Sequence, residues 1–219
     1  MSFRGSPFAI LVNPRDNATW FAWSEERQVR DALFKVQPGD LVFDVGCGYG
    51  AWAISALAVG AAHVHCWSLD SKHIELMAAT VALNEWGSRA TLNLSGLHGG
   101  TGWLSAQESC HQVSKVPGQG HFCESLDEYI SRFPREMKLP PFDYHPAARG
   151  RTWLKVDTQG DELAILEGAR QLIQDYQPTI LLKSPGADVI TWLTSGTGPG
   201  YKMAANISAY GISHGCFRP

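Results

Sequence analysis

Short apolar runs alternate along this chain with stretches whose apolar residues recur every three or four positions. Leu41-Val-Phe-Asp-Val45, Val64 to Leu69, Thr91 to Leu94, Trp153 to Asp157 and Thr179 to Lys183 are each five or six residues or fewer and read as buried strands. Between them, Ala51 to Ala58, Ser71 to Glu85, Glu162 to Tyr176 and Ala187 to Leu193 carry helical spacing, with Leu163, Leu166, Ala169 and Ile173 on one face of the third. A further amphipathic helix is predicted from Thr19 to Val36, on Trp20, Trp23, Val29, Leu33 and Val36, after an irregular lead-in over residues 1–18. Two weaker strands, Tyr201 to Ile207 and Ile212 to Phe217, close the chain. Strands alternating with helices predict a doubly wound, mostly parallel seven-stranded α/β sheet with helices on both faces.

One segment, Leu97 to Arg151, breaks the rhythm. It predicts a hairpin around Pro117 to Gly120 and a short helix from Ser125 to Ile130, then turns proline-rich from Leu139 to Pro146. A long insertion of this kind in a compact domain is usually functional, and covering an acceptor site is the expected use. The whole chain, 1–219, reads as one domain, with 1–38 as lead-in and helix and 97–151 as the insertion.

Composition narrows the classes. With 44% apolar and 18% charged residues over 219 positions, the chain is an ordinary globular protein. Its net charge of −3 gives no global reason to expect nucleic acid. No apolar run reaches the length of a membrane span, and the first residues lack a signal-peptide core. The 5 cysteines (Cys47, Cys66, Cys110, Cys123, Cys216) are scattered and odd in number, which fits reduced thiols and a cytoplasmic location. No repeat stands out and nothing sets an oligomeric state.

The candidate chemistry gathers at the ends of the predicted strands. Gly46, Gly48 and Gly50 follow the first strand at once, with Asp44 two residues ahead, and a helix opens behind them. Such a turn brings backbone N–H groups to the carboxyl edge of a sheet, where open α/β folds bind ligands, and glycine admits close approach. Its spacing is G-x-G-x-G, not the dinucleotide G-x-G-x-x-G, and alone it is a weak signal that a plain structural turn would also produce. Asp70, at the tip of the second strand, suits the hydroxyls of a ribose, and with Ser71 it equally suits the start of a helix. Ser95 and Gly96 hold the corresponding place after the third strand.

Asp44-Val-Gly-Cys-Gly-Tyr-Gly50 with Asp70 downstream resembles motifs I and II of the class I S-adenosylmethionine-dependent methyltransferases. Ser125-Leu-Asp-Glu-Tyr-Ile130, followed by Leu154 to Ala169 with Lys155, Asp157, Gln159, Gly160, Glu162, Leu166, Gly168 and Ala169 at matching spacing, is similar to the FkbM-type methyltransferases. The resemblance covers about Gly39 to Lys183. It implies a Rossmann-like fold, S-adenosylmethionine as cofactor with S-adenosylhomocysteine as product, and a cofactor site over Asp44, Gly46, Cys47, Gly48, Tyr49, Gly50, Asp70, Ser71, Ser95 and Gly96. Three positions depart from the family's pattern. Cys47 and Gly48 stand where an Ala-Asn pair is common, Asp70-Ser71 replaces Glu-Pro, and Lys183 replaces an acid.

Methyl transfer needs an acceptor aligned with the S–CH3 bond and, for oxygen, a base or cationic stabiliser. By position Asp157 is the expected acceptor-orienting group or base, with Lys155 and Glu162 in support; an ion pair between those two, fixing the turn, is the structural alternative. The implied acceptor is a hydroxyl on a small molecule such as a sugar. A second reading takes Asp157 with Lys183 as the middle of the Lys-Asp-Lys-Glu set of FtsJ-type RNA 2′-O-methyltransferases, with Lys35 as first lysine, although no Glu follows Lys183. A third reading is a non-catalytic interaction module. Cys110, His111, His121 and Cys123 flank one turn but match no trusted zinc spacing, so no metal is expected. Trp103 and its neighbours are core residues by default, with stacking on an acceptor ring the alternative.

Overall fold

The computed structural model describes residues 2–11, 23–24, 27–105, 113–114, 117–118, 120–132, 151–158, 160–196, 198–209 and 211–219. Its frame is a sheet of 7 strands: β1 Leu41–Val45, β2 His63–Ser68, β3 Ala90–Leu94, β4 Thr152–Val156, β5 Thr179–Lys183, β6 Lys202–Ala209 and β7 Ile212–Arg218. The spatial order is β3-β2-β1-β4-β5-β7-β6. β1 to β5 are mutually parallel, and β7 runs antiparallel to both β5 and β6. Every residue of β1 and β4 is buried, as parallel strands covered on both faces require.

Helices α1 Arg27–Leu33, α2 Ala51–Val59 and α3 Ser71–Leu83 pack one face, around Phe34, Trp52, Ile54 and Leu57. On the other face α4 Leu126–Ser131, α5 Glu162–Glu167, α6 Arg170–Tyr176 and α7 Ala187–Thr194 enclose Phe43, Trp67, Leu126, Leu154 and Leu166. The strand pleat divides neighbours between the two cores. Val42 and Asp44 face the first, while Leu41, Phe43 and Val45 face the second.

Three expectations are corrected. The helix expected over Glu162 to Tyr176 is two helices, because Gly168 presses on the His98 carbonyl, where a Cβ would overlap it, and its own carbonyl accepts the Asp127 N–H (2.9 Å). The Asp127 carboxylate then accepts the N–H groups of Gln171 and Leu172 (both 2.9 Å), capping α6 from a distant part of the chain. The predicted hairpin around Pro117 to Gly120 is not a paired one: Val113–Ser114 and His121–Glu124 both pair with Gly102–Leu104 instead. These strands and Gly96–Leu97 form a separate sheet of 4. A small hairpin of Ser2–Phe3 with Ser6–Pro7 occupies part of the lead-in. Of the long N-terminal helix, residues 23–24 and α1 are helical, and Thr19 and Trp20 lie outside the described residues, as do Cys110, His111 and the proline-rich stretch.

Asp127→Ala should lower stability by about 1–3 kcal/mol, the scale of hydrogen bonds to a charged group. Chemical denaturation measures this, and an unchanged midpoint would remove the clamp.

Along β2, a buried column of rings runs from His63 through His65 (centroids 4.6 Å apart) to Trp67, with Tyr129 donating to or accepting from His65 Nδ1 at 2.9 Å. Burial, with Arg89 adding to it, pushes His63 down to about 4, and burial with His63 nearby pushes His65 well down. Both rings fold neutral, whereas the unfolded chain binds their protons near about 6.5. Their stabilisation is therefore complete above that pH and is lost as pH falls from about 6.5 toward 4. Unfolding midpoints should drop over that window, less steeply in His63→Gln; a midpoint flat with pH would contradict the assignment.

Candidate functional site

The glycine turn is fixed from three sides. The Gly46 and Cys47 N–H groups both donate to the Trp67 carbonyl (3.1 and 3.0 Å), which hooks the turn onto β2. Gly46 has φ +70°, and a Cβ there would overlap the Asp157 carbonyl oxygen, so β1's exit lies directly on β4's. The Gly50 N–H closes the turn onto the Cys47 carbonyl (2.8 Å), and α2 begins.

Beneath the turn sits Asp44, fully buried. Its Oδ2 accepts the Ala53 N–H (3.1 Å) in the first turn of α2. Its Oδ1 lies 3.0 Å from the Lys155 ammonium. Lys155, 5% exposed, also donates to the Gly46 carbonyl (2.8 Å) and lies 3.8 Å from Asp157 Oδ2. Burial pushes the Asp44 carboxyl above its ordinary range and the Lys155 ammonium pulls it back. Lys183 completes the group, 3.2 Å from Asp157 Oδ2.

Along the carboxyl edge of the sheet runs a cleft of ≈ 310 Å³, inside the range of about 300–1,000 Å³ typical of ligand pockets. Of the residues expected from sequence, Gly46, Gly48, Ser95, Gly96, Asp157 and Lys183 line it. One end, at β4 and β5, is charged through Asp157, Asp161 and Lys183. The other, beside β3, is uncharged, with Ser95, Gly96, Leu97 and Leu104. A Cβ built on Gly48, at φ +50°, would meet nothing within 4 Å, so the backbone there is open to the cleft.

The remaining expected residues lie behind or beside the walls. Cys47 is buried with its thiol 3.5 Å from Met77 Sδ, and with Asp44 and Gly50 it shapes the turn. Tyr49 packs edge-on to His73 (4.4 Å). Asp70 is half-exposed and caps α3 through Lys72 N–H (2.9 Å), with exposed Ser71 as the helix's first residue. Glu162 serves the β4–α5 turn: its carboxylate accepts the N–H groups of Thr158 (3.1 Å) and Gly160 (3.0 Å). The structural alternative of a Lys155–Glu162 pair is thus replaced by Lys155 on Asp44 and Asp157 and Glu162 on its own turn. Lys35 donates to the Asp31 carbonyl (2.6 Å) at the end of α1 and is no part of the cleft.

Sequence reasoning missed Asp161, Thr158, Ser68 and His73, all in the cleft wall. Ser68 Oγ lies 3.1 Å from His73 Nδ1, and His73 Nε2 lies 3.9 Å from Asp70 Oδ2, so these three form one rim. The signal for His73 was its place three residues after Asp70 on one helix face. Cys47, Cys66, Cys123 and Cys216 are buried free thiols, and burial beside Cys47 pushes the Cys66 thiol well up. Among the described residues, no cluster has the makings of a metal site and no helix is long and apolar enough to cross a membrane.

A family model described as ribosomal protein L11 methyltransferase (PrmA) matches residues 26–102, the stretch from α1 through β3 that carries the glycine turn. The L11 methyltransferase of Caldanaerobacter subterraneus is 41% identical over 49 residues, and that of Bacillus cytotoxicus 44% over 50 residues. These matches take in 22% and 23% of this chain, which thereby spans only 16% of either relative's length. Among solved structures, methyltransferase FkbM from Methylobacillus flagellatus KT superposes with a TM-score of 0.60 at 16% identity, over 86% of this chain and 46% of that one. The precorrin-6y C5,15-methyltransferase from Geobacter metallireducens GS-15 gives 0.50 at 10% identity, over 100% and 97%. Strand order, glycine turn and these likenesses set the class: the S-adenosylmethionine-dependent class I methyltransferase fold. The methyl donor that this class of fold implies is S-adenosylmethionine, with S-adenosylhomocysteine as product.

The residues fit that donor. Gly48 leaves the backbone bare toward the cleft, and the cleft runs from a charged end, suited to an amino-acid moiety, to an uncharged end suited to a base. Asp70→Ala should weaken S-adenosylhomocysteine binding by about 1–3 kcal/mol. Unchanged affinity in calorimetry would leave Asp70 with its capping role alone.

Proposed function

We propose that this domain is an O-methyltransferase of the FkbM kind, acting on a hydroxyl of a small molecule such as a sugar. The observation that carries the reading is the Asp157–Lys183 pair, 3.2 Å apart, at the charged end of the cleft beside the glycine turn. The bound donor would supply a methyl group already activated on a sulfonium. Gly46, Gly48, Ser95, Gly96 and Asp70 are the residues that would hold it. What the chain has to add is alignment, exclusion of water and a place for the acceptor's proton.

In this reading Asp157 takes the hydroxyl proton, within hydrogen-bond reach of the acceptor oxygen, and the Lys183 ammonium stabilises negative charge growing on that oxygen. Lys155 acts from below: it holds Asp157 and the Gly46 carbonyl together, so that the acceptor and donor ends keep a fixed spacing. Glu162 supports through the turn that orients Asp157. The Ser125-Leu-Asp127 and Lys155-to-Ala169 motifs are the grounds for the FkbM assignment, and the segment around the small second sheet would cover the acceptor.

A second reading, RNA 2′-O-methylation, draws support from the clustering of Lys155, Asp157 and Lys183 within 3.8 Å. The net charge of −3 and the position of Lys35 on the Asp31 carbonyl weigh against it. The test is methyl transfer from radiolabelled S-adenosylmethionine to a panel of sugars, polyketide hydroxyls and capped RNA. Label should enter a hydroxyl compound and fall at least about tenfold in Asp157→Asn, the loss of one general base, with S-adenosylhomocysteine affinity kept. Label entering only capped RNA would favour the second reading, and undiminished transfer in Asp157→Asn would remove Asp157 from the chemistry.

A further inference from the structure

Where β2 runs into α3, Ser68, Leu69 and His73 line the cleft, whereas Asp70 stands beside it with its side chain 51% exposed. These side chains form one chain of contacts. Ser68, buried, accepts the Asp70 N–H on its Oγ (3.2 Å) and lies 3.1 Å from His73 Nδ1. Among the described residues, Nδ1 is the acceptor in reach of the Ser68 hydroxyl proton, so Ser68 donates to it. The other ring nitrogen, Nε2, then carries a proton. That suits its place 3.9 Å from Asp70 Oδ2, where a bare lone pair would be repelled by the carboxylate. The His73 N–H donates to the Asp70 carbonyl (3.1 Å), and Tyr49 packs edge-on to the ring, so its position is held from several sides.

The Asp70 carboxylate is half committed. Its Oδ1 accepts the Lys72 N–H (2.9 Å), and its Oδ2 faces His73 Nε2. A separation of 3.9 Å is too long for a direct hydrogen bond. One hydroxyl oxygen beside the gap can reach both atoms at about 2.8 Å.

We propose that His73 is a donor-binding residue that, together with Asp70, seats one ribose hydroxyl of the methyl donor. The hydroxyl accepts from His73 Nε2–H and donates to Asp70 Oδ2. The inference rests on the reading of S-adenosylmethionine as the ligand of the cleft. A hydroxyl matches this pair because it donates and accepts at once, and a hydrogen in its place leaves both partners unmatched. Ser68 is the positioning residue, since its proton on Nδ1 keeps the donor of the ring at Nε2.

The experiment is calorimetry on the full chain with S-adenosylhomocysteine and its 2′-deoxy and 3′-deoxy analogues, wild type beside His73→Phe and His73→Gln. Wild type should bind one analogue about tenfold more weakly than the parent, the scale of one hydrogen bond to a charged group. His73→Phe keeps a ring and loses both nitrogens, so it should bind the parent more weakly and show a smaller preference over that analogue. His73→Gln, whose amide still donates, should recover part of the preference. An equal preference in wild type and His73→Phe overturns the inference, because a merely structural ring would weaken all three ligands alike. If His73→Phe does not fold, the wild-type ring nitrogens decide by NMR. An Nε2 resonance that moves with S-adenosylhomocysteine, and less with the disfavoured analogue, supports the contact; one that responds alike to every ligand overturns it. Failure of S-adenosylhomocysteine to bind wild type would sink the cofactor reading and this inference with it. Equal affinity of wild type for all three ligands would sink the hydroxyl seat alone.

Discussion

One buried ammonium group holds this site together. Lys155 reaches, from the middle of the sheet, a carboxylate on β1, a carbonyl of the glycine turn and the carboxylate at the tip of its own strand. A charge at 5% exposure is expensive to bury alone and tolerable only when each of its protons has a partner. Lys155, Asp44, Asp157 and Lys183 carry two positive and two negative charges, so the group balances internally. Breaking a buried pair of this kind by removing one partner costs about 3–5 kcal/mol, because the other charge is left behind. The consequence for function is geometric. The turn that would hold the donor and the carboxylate that would meet the acceptor hang on the same side chain.

The second constraint joins the insertion to this frame. Ser125 caps α4 with a full capping box, its hydroxyl accepting the Glu128 N–H (3.1 Å) and the Glu128 carboxylate accepting the Ser125 N–H (3.0 Å). Two residues on, Asp127 caps α6, and Thr101, just ahead of the small sheet's Gly102–Leu104 strand, donates to Glu128 (2.8 Å). Ser125-Leu-Asp127 is thus a fastening between the insertion and the helices that follow Asp157. The motif that made the chain resemble FkbM-type proteins carries structure first, and its link to chemistry runs through the position of the β4–α5 turn.

The parallel strands were legible because each is a short, mostly apolar run between turn signals, and β5 was placed to the residue. The glycine turn and the residues at strand tips were legible because chain topology alone carries them to one edge. Where the reading failed, the cause lay far away in sequence. The break at Gly168 comes from Asp127 and His98, neither of which leaves a mark on the periodicity of Leu163 to Ile173. The small sheet is built of strands of 2 to 4 residues, too short to show alternation. Asp161 reaches the site through the β4–α5 turn, and Glu162, next to it, turns inward to the backbone instead. Lys35 looked available as a lysine only because its partner, the Asp31 carbonyl, is a backbone group that no motif records.

The central claim is that the cleft at Gly48 holds S-adenosylmethionine, and calorimetric titration with S-adenosylhomocysteine tests it most directly, wild type beside Gly48→Val. Because a Cβ at this position meets open space, the substitution adds bulk to the cleft alone, at a backbone cost of about 1–2 kcal/mol from the positive φ. Micromolar binding by the wild type, abolished in a variant that still unfolds cooperatively, is the predicted result. Absence of binding by the wild type, or equal affinity in the two proteins, would contradict it.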